Sequence, residues 1–249
     1  MAKSNFVFEE GKAIDVGTHG DHSYVFHEGD PVPDTGKSAI VFEDGVGIGS
    51  GDVIEDWERA SPLSDYGGDT THASVVSSPT FEGSGAIRAA STNTSTFNTG
   101  SAIIVKDTVS VSKPATFEFY AYGDSGGNLD GVSVSIVYGA QAVAGYQNVE
   151  CYYAEFQWQE SGSDHLKMFR MLGGGNDGQS VNLTLPRDEW CRGTVEWKSN
   201  DDHVFTVYDS NDNQIGSQSR NMSDYSSGYT GWHLHESGAV YGDYYRQIA

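Results

Sequence analysis

Long apolar runs are missing from this 249-residue chain, and none comes near the roughly 20 residues that a membrane-crossing helix needs. No membrane span is expected. Helical periodicity is missing as well: no window repeats its apolar residues at a 3.6-residue spacing for more than two turns. Basic residues are scarce, 14 against 35 acidic ones, and nowhere do they gather into a stripe. Nothing is therefore available to release counterions from a phosphate backbone, which excludes nucleic acid as a partner. Cysteine is reduced to Cys151 and Cys191. They either form one bridge or stay as free buried thiols, and free thiols are the expectation for a chain outside the secretory route. The opening Met1-Ala2-Lys3-Ser4-Asn5-Phe6 carries neither an apolar segment of signal-peptide length nor a twin arginine. Synthesis in the cytoplasm without an export leader is expected, and the acceptor triplets at Asn93, Asn182 and Asn221 are then coincidental.

What the chain does have is glycine (31), tyrosine (14), phenylalanine (11) and tryptophan (5), an all-β composition. Strict alternation supports it. Phe117, Phe119 and Ala121 oppose Glu118, Tyr120 and Tyr122; Val134, Ile136 and Tyr138 oppose Ser133 and Ser135; Tyr152, Ala154, Phe156 and Trp158 oppose Tyr153, Glu155 and Gln157. From Leu185 to Arg246 the pattern reads as four strands, three of them centred on Val195–Trp197, Phe205–Val207 and Trp232–Leu234. Ser199–Asp202 and Asp209–Asn213 are hairpin loops rich in residues that bond their own backbone. Pro79 and Pro114 fall at strand starts, where proline is tolerated. The net charge of −21 is spread along the chain, which points to a high-salt milieu where the Debye length is about 3 Å and self-repulsion is screened.

An internal repeat occupies the first fifth. Val7-Phe8-Glu9-Glu10-Gly11, Val25-Phe26-His27-Glu28-Gly29 and Val41-Phe42-Glu43-Asp44-Gly45 share V-F-x-[ED]-G. Each is a short strand ending in a turn, too small to fold alone, so Phe8, Phe26 and Phe42 need cover from another surface. Neighbouring copies are the economical source. Alternate glycines from Gly45 to Gly51 then mark a boundary, giving residues 1–50 as a repeat and assembly segment and 51–249 as a β-sandwich.

The order of these pieces resembles concanavalin A-like, laminin-G-type jelly rolls. The residues that carry the likeness are Asp188-Glu189-Trp190 before a strand, Val207-Tyr208-Asp209-Ser210 with Gly216, Gly231-Trp232, a last aromatic strand around Asp243, and Ser84-Gly85-Ala86-Ile87-Arg88 after Trp57-Glu58 and Ser74-Val75-Val76. The strand pattern runs from about Asp52 to Ile248. The resemblance implies a jelly-roll sandwich in which one face of a sheet forms a groove, and a structural calcium near the last strand with Asp243 as a ligand; no other cofactor is implied. A leaderless, repeat-led jelly roll with halophile-like charge also resembles surface components of tailed viruses of haloarchaea, such as capsid turrets, decorations or tail fibres. That likeness implies a homo-oligomer on the virion surface, contacting other virion proteins and host-surface glycans.

Candidate chemistry lies on the second faces of the strands. Tyr120, Tyr122 and Tyr153 are candidates for stacking on sugar rings, with Glu118, Glu155 and Gln157 to bond hydroxyls. Glu118 and Glu155 could also pair as glycosidase carboxylates at about 5 Å. The fold's retaining glucanases carry E-x-D-x-E or E-x-D-x-x-E on one strand, and neither spacing occurs, so a non-enzymatic protein is expected, with a free carbohydrate-active protein as the alternative. His19, His22 and His27, and His233 with His235, lack a closed four-ligand pattern and are read as surface or interface residues. Asp209-Ser210-Asn211-Asp212-Asn213 begins like a calcium loop but has Gln214 and Arg220 where the loop needs Gly and Glu, so it is read as a turn. Gly173-Gly174-Gly175 precedes a strand rather than a helix and makes no phosphate cradle.

Overall fold

In the computed structural model, residues 53–58, 61–90, 101–172, 175–235 and 239–248 are described in full. Residues 6–9, 12–15, 24–27, 30–33, 40–41, 47–48 and 52 are described as strand backbone only. The chain divides into two units, Met1–Asp52 and Val53–Ala249.

The first unit is a series of antiparallel hairpins: β1 (Phe6–Glu9) with β2 (Lys12–Asp15), β3 (Tyr24–His27) with β4 (Asp30–Pro33), and β5 (Ile40–Val41) with β6 (Gly47–Ile48). Each V-F repeat begins on the first strand of a hairpin. The side chains of Phe8, Phe26 and His27 and the whole of Phe42, His19 and His22 lie outside the described residues.

The second unit begins with β7 (Asp52–Glu55), β8 (Tyr66–Gly68), β9 (Ala73–Val76) and β10 (Ala86–Ala89). Longer strands follow: β11 (Ser101–Ser112), β12 (Ala115–Gly123), β13 (Ser133–Ala140), β14 (Cys151–Gln157), β15 (Asp164–Leu172) and β16 (Gly175–Leu183). The C-terminal block supplies β17 (Trp190–Trp197), β18 (Asp202–Tyr208), β19 (Gln214–Asn221), β20 (Ser227–His235) and β21 (Val240–Gln247). They form two sheets. Sheet I runs β19-β18-β17-β12-β21-β10-β9 with β7 also on β21, and sheet II runs β16-β15-β14-β13-β20-β11-β8. Neighbouring β12 and β21, and β13 and β20, are far apart in sequence, the long-range antiparallel pairing of a jelly roll.

Alternation decides what the sheets bury between them. Sheet I turns Phe117, Phe119, Val195, Trp197, Phe205 and Tyr245 inward, and sheet II turns Ile136, Tyr138, Tyr152, Phe156, Leu166 and Trp232 toward them. Each such side chain contributes about 1.5–3 kcal/mol by leaving water. The fit is close: a Cβ at Gly193 would stand 2.7 Å from the Phe119 ring and 2.9 Å from Phe156, so β17 passes there only as glycine. One polar ring sits inside. His203 Nε2 donates to the Met222 carbonyl at 3.0 Å while its Nδ1 accepts from the Tyr138 hydroxyl at 2.9 Å. That fixes a neutral tautomer, and burial lowers its pKa to about 4.

β7 stops at Glu55; Trp57 turns into the core at φ 60°, its N–H held by the Glu55 carboxylate at 3.0 Å. One difference from the sequence reading stands out. The C-terminal block holds five strands, not four. The extra one is β19, Gln-Ile-Gly-Ser-Gln-Ser-Arg-Asn, a mostly polar edge strand with no apolar alternation to announce it. The loops around it match expectation: Asp201 and Asp212 take the left-handed conformation at φ 67° and 62°, and Asp209 accepts from the backbone N–H of Asn211 and Asn213, both at 2.9 Å. At the other sheet's edge, β16 is exposed along almost its whole length. Arg220 of β19 crosses to it, donating to the Asp177 carbonyl at 2.6 Å and pairing with the Asp177 carboxylate at 2.7 Å.

Candidate functional site

Register, more than sequence distance, assembles the outer face of sheet I. Glu118, Tyr120 and Tyr122 of β12 point outward, and each lies between a residue of β17 and one of β21: Glu118 between Thr194 and Arg246, Tyr120 between Arg192 and Asp243, Tyr122 between Trp190 and Tyr241. The result is a belt of rings. Tyr122 lies 5.3 Å from Trp190 and 6.0 Å from Tyr241, and Tyr120 lies 6.2 Å from Tyr244. Phe81, from the loop before β10, stacks on Tyr120 at 3.5 Å and meets the Trp190 edge at 6.0 Å. Phe81, Tyr120, Tyr122, Trp190 and Tyr244 are all half-buried, leaving apolar surface open to a ligand.

The charges around Glu118 are already paired. Glu118 is buried between two guanidiniums, with Arg246 Nε donating at 2.8 Å and Arg192 Nη1 at 3.3 Å. Arg192 continues to Asp212 at 2.9 Å and covers the Tyr208 ring at 4.0 Å. Burial, with the Glu118 charge, pushes the Tyr120 phenol up to about 12, so it stays a neutral donor. Asp243 holds the Phe81 loop: its carboxylate accepts from the N–H of Phe81 at 2.7 Å, Glu82 at 3.3 Å and Tyr244 at 2.7 Å. Burial nevertheless raises it to about 7.

These bonds decide the calcium expectation for Asp243. A cation needs the oxygens that here face three N–H donors, and among the described residues no three His, Cys, Asp or Glu side chains converge. Asp243 does not fit a calcium ligand; it is the anchor of the Phe81 loop.

The other three candidates lie elsewhere. Tyr153, Glu155 and Gln157 point outward from sheet II, the opposite side of the sandwich, and the expectation that they line an open groove is corrected: all three are buried. The cause is a second hydrophobic cluster on that face. Tyr146 and Val149, from the segment between β13 and β14, pack with Ile103, Val137, Cys151 and Met171. Asp69 pins that segment down by accepting from the N–H of Tyr146 at 2.7 Å and of Ile103 at 3.1 Å. Tyr153 is 2 % exposed, its ring 4.7 Å from Phe169 and 4.5 Å from His233.

Glu155 pairs with His233 at 3.4 Å and Lys167 at 3.5 Å. Burial opposes its charge, but the His233 hydrogen bond and these two partners outweigh burial and hold the carboxyl below its ordinary range. Burial likewise holds His233 below its usual value. The Gln157 amide donates to the Gly131 carbonyl at 3.2 Å and its oxygen accepts from Gln159 at 3.1 Å. Glu118 and Glu155 therefore stand on opposite outer faces and make no catalytic pair. Cys151 and Cys191 are free and buried, and burial pushes the Cys191 thiol up to about 12.

Sequence reasoning missed Trp190, Phe81, Tyr241 and Tyr244 as members of the belt. Trp190 was legible, since it opens a strand whose next inward residues are Cys191 and Gly193. Phe81 comes from a loop, where no periodicity could point to it.

No family model matches this chain, and no curated protein matches it. Among solved structures, the VIP36 exoplasmic/lumenal domain in its Ca2+/Man3GlcNAc-bound form superposes with a TM-score of 0.53 at 11% identity, over 77% of this chain and 85% of that one. Its Ca2+/Man-bound form gives 0.52 at 10% identity, over 75% and 82%. At such identity the likeness shows the fold alone: a concanavalin A-like, lectin-type β-sandwich.

Proposed function

We propose that the sandwich of residues 53–248 is a glycan-binding module carried by a non-enzymatic structural protein on the surface of a virus particle, of the turret, decoration or tail-fibre type, that assembles through residues 1–50. The observation that carries the glycan reading is the belt of half-buried rings on sheet I, flanked by ion-paired Glu118, Arg192 and Arg246. Flat rings pack against the apolar faces of pyranoses, and fixed polar groups beside them bond hydroxyls. VIP36, of the same fold, is solved with mannose and with Man3GlcNAc. Both outward glutamates of the candidate set are locked in ion pairs, which favours binding over hydrolysis. The particle reading draws on the acidic charge of −21 and on three hairpins whose strands of two to four residues are too short to stand alone.

The test is binding of the full-length protein to a panel of oligosaccharides in molar salt. Tyr122→Ala and Trp190→Ala should each weaken binding at least tenfold, about 1.4 kcal/mol, while the protein stays folded. Release of reducing ends by purified protein would overturn the non-enzymatic reading. Sedimentation in molar salt of the full-length chain and of one lacking residues 1–50 tests assembly: equal oligomeric states would remove the role given to the repeats.

A further inference from the structure

In a chain with 35 acidic and 14 basic residues, a cation finds a carboxylate almost wherever it stands. Every fully described lysine and arginine except one has such a partner within an ion-pair distance. The exception is Arg88. It lies on β10, whose Ile87 and Ala89 enter the core, so its side chain belongs to the outer face of sheet I. Its guanidinium stands 6.0 Å over the ring of Tyr241, which meets Tyr122 and, through it, Trp190. Arg88 therefore ends the ring belt.

Two buried polar atoms at this position lack a hydrogen-bond partner, the Arg88 Nε and the hydroxyl of Ser74. The two residues face each other in the β9–β10 register. A cation over a ring face is attracted by the π system, but that contact satisfies none of the five N–H donors of a guanidinium. Arg88 is only half-buried and has no carboxylate partner, so at the end of a sugar-stacking surface the outer N–H groups of its guanidinium suit the carboxylate of a ligand.

We infer that Arg88, beside the Tyr241 ring, forms a subsite for the carboxylate of an acidic sugar, so that the module selects glycans carrying isolated uronic-acid-type residues. The inference rests on the glycan-binding reading of the same face. The planar fork of arginine matches two carboxylate oxygens at once. The subsite offers one guanidinium beside a belt of rings, so the selected ligand has a single acidic sugar among neutral ones, read by local contacts.

The experiment titrates the full-length protein in molar salt with three probes of one backbone: a neutral hexose oligosaccharide, the same chain with one uronic acid, and the same chain with one sulfate ester. The uronate probe should bind at least tenfold tighter than the neutral one. Arg88→Gln should bring the uronate probe to the neutral probe's affinity, and Arg88→Lys, which keeps the charge but not the fork, should recover only part of the preference. Neutral binding without a uronate preference, or a preference that survives Arg88→Gln, overturns this subsite and leaves the glycan-binding reading in place. A sulfate probe as tight as the uronate overturns the carboxylate assignment. Binding of none of the three, with none on a wider panel, overturns the glycan-binding reading itself.

Discussion

The two outer faces of the sandwich carry equal sequence signals and have opposite fates. On sheet I the outward row of β12 meets solvent as half-buried rings, while on sheet II the outward row of β14 lies under Tyr146 and Val149 as part of a second core. Alternation assigns a side chain to a face; whether a neighbouring segment covers that face depends on tertiary packing. Tyr120 and Tyr153 look alike in sequence, yet one belongs to a surface and the other to an interior.

The sharpest way to break this comparison is to truncate one tyrosine from each face. Tyr153→Ala removes a buried ring and should cost about 3–5 kcal/mol, whereas Tyr122→Ala should cost less than about 1 kcal/mol. Urea unfolding measures both, and similar losses would mean that the faces do not differ.

The pH response sets the core against the sheet I face. For His203 the folded pKa of about 4 lies below the ordinary 6.5, so its neutral form stabilises fully above pH 6.5 and that stability is lost as pH falls toward 4, about 3 kcal/mol in all. For Asp243 the folded value of about 7 lies above the ordinary 3.8, so its contribution is present below pH 3.8 and is lost as pH rises through 7. Between pH 4 and 6.5 the two oppose each other. Asp243→Asn should unmask the His203 slope, so that the variant loses more stability than the wild type as pH falls from 6.5 to 4. Parallel profiles for the two proteins would refute the assignment.

A smaller effect distinguishes the covers over the two thiols. Cys151 lies in the sheet II cluster and Cys191 in the main core. Tyr146→Ala should loosen the segment between β13 and β14 and speed thiol labelling at Cys151 several-fold, leaving Cys191 unchanged. Equal acceleration at both would show global unfolding instead of local opening.

The all-β architecture was legible because β12, β17 and β18 alternate along their length and β13 and β14 over part of theirs. β19 was not, since an edge strand needs no apolar side and Gln214–Asn221 has almost none. Of the site, Tyr120, Tyr122 and Glu118 were legible as one outward row. The roles of Asp243 and Phe81 were not, because a carboxylate bonded to the N–H groups of Phe81 and Glu82, some 160 positions away, leaves no trace in local pattern.

The polar borders β16 and β19 bear on crowding. A bare strand edge invites the backbone of the next molecule, and many copies side by side can then fuse into continuous ribbons. Here the bordering strands are built largely of Gly, Asn, Asp, Ser and Gln, and Arg220 ties one to the other across the open side of the sandwich. On that side the two edges are tied to each other, which leaves less of their backbone free to template sheet growth.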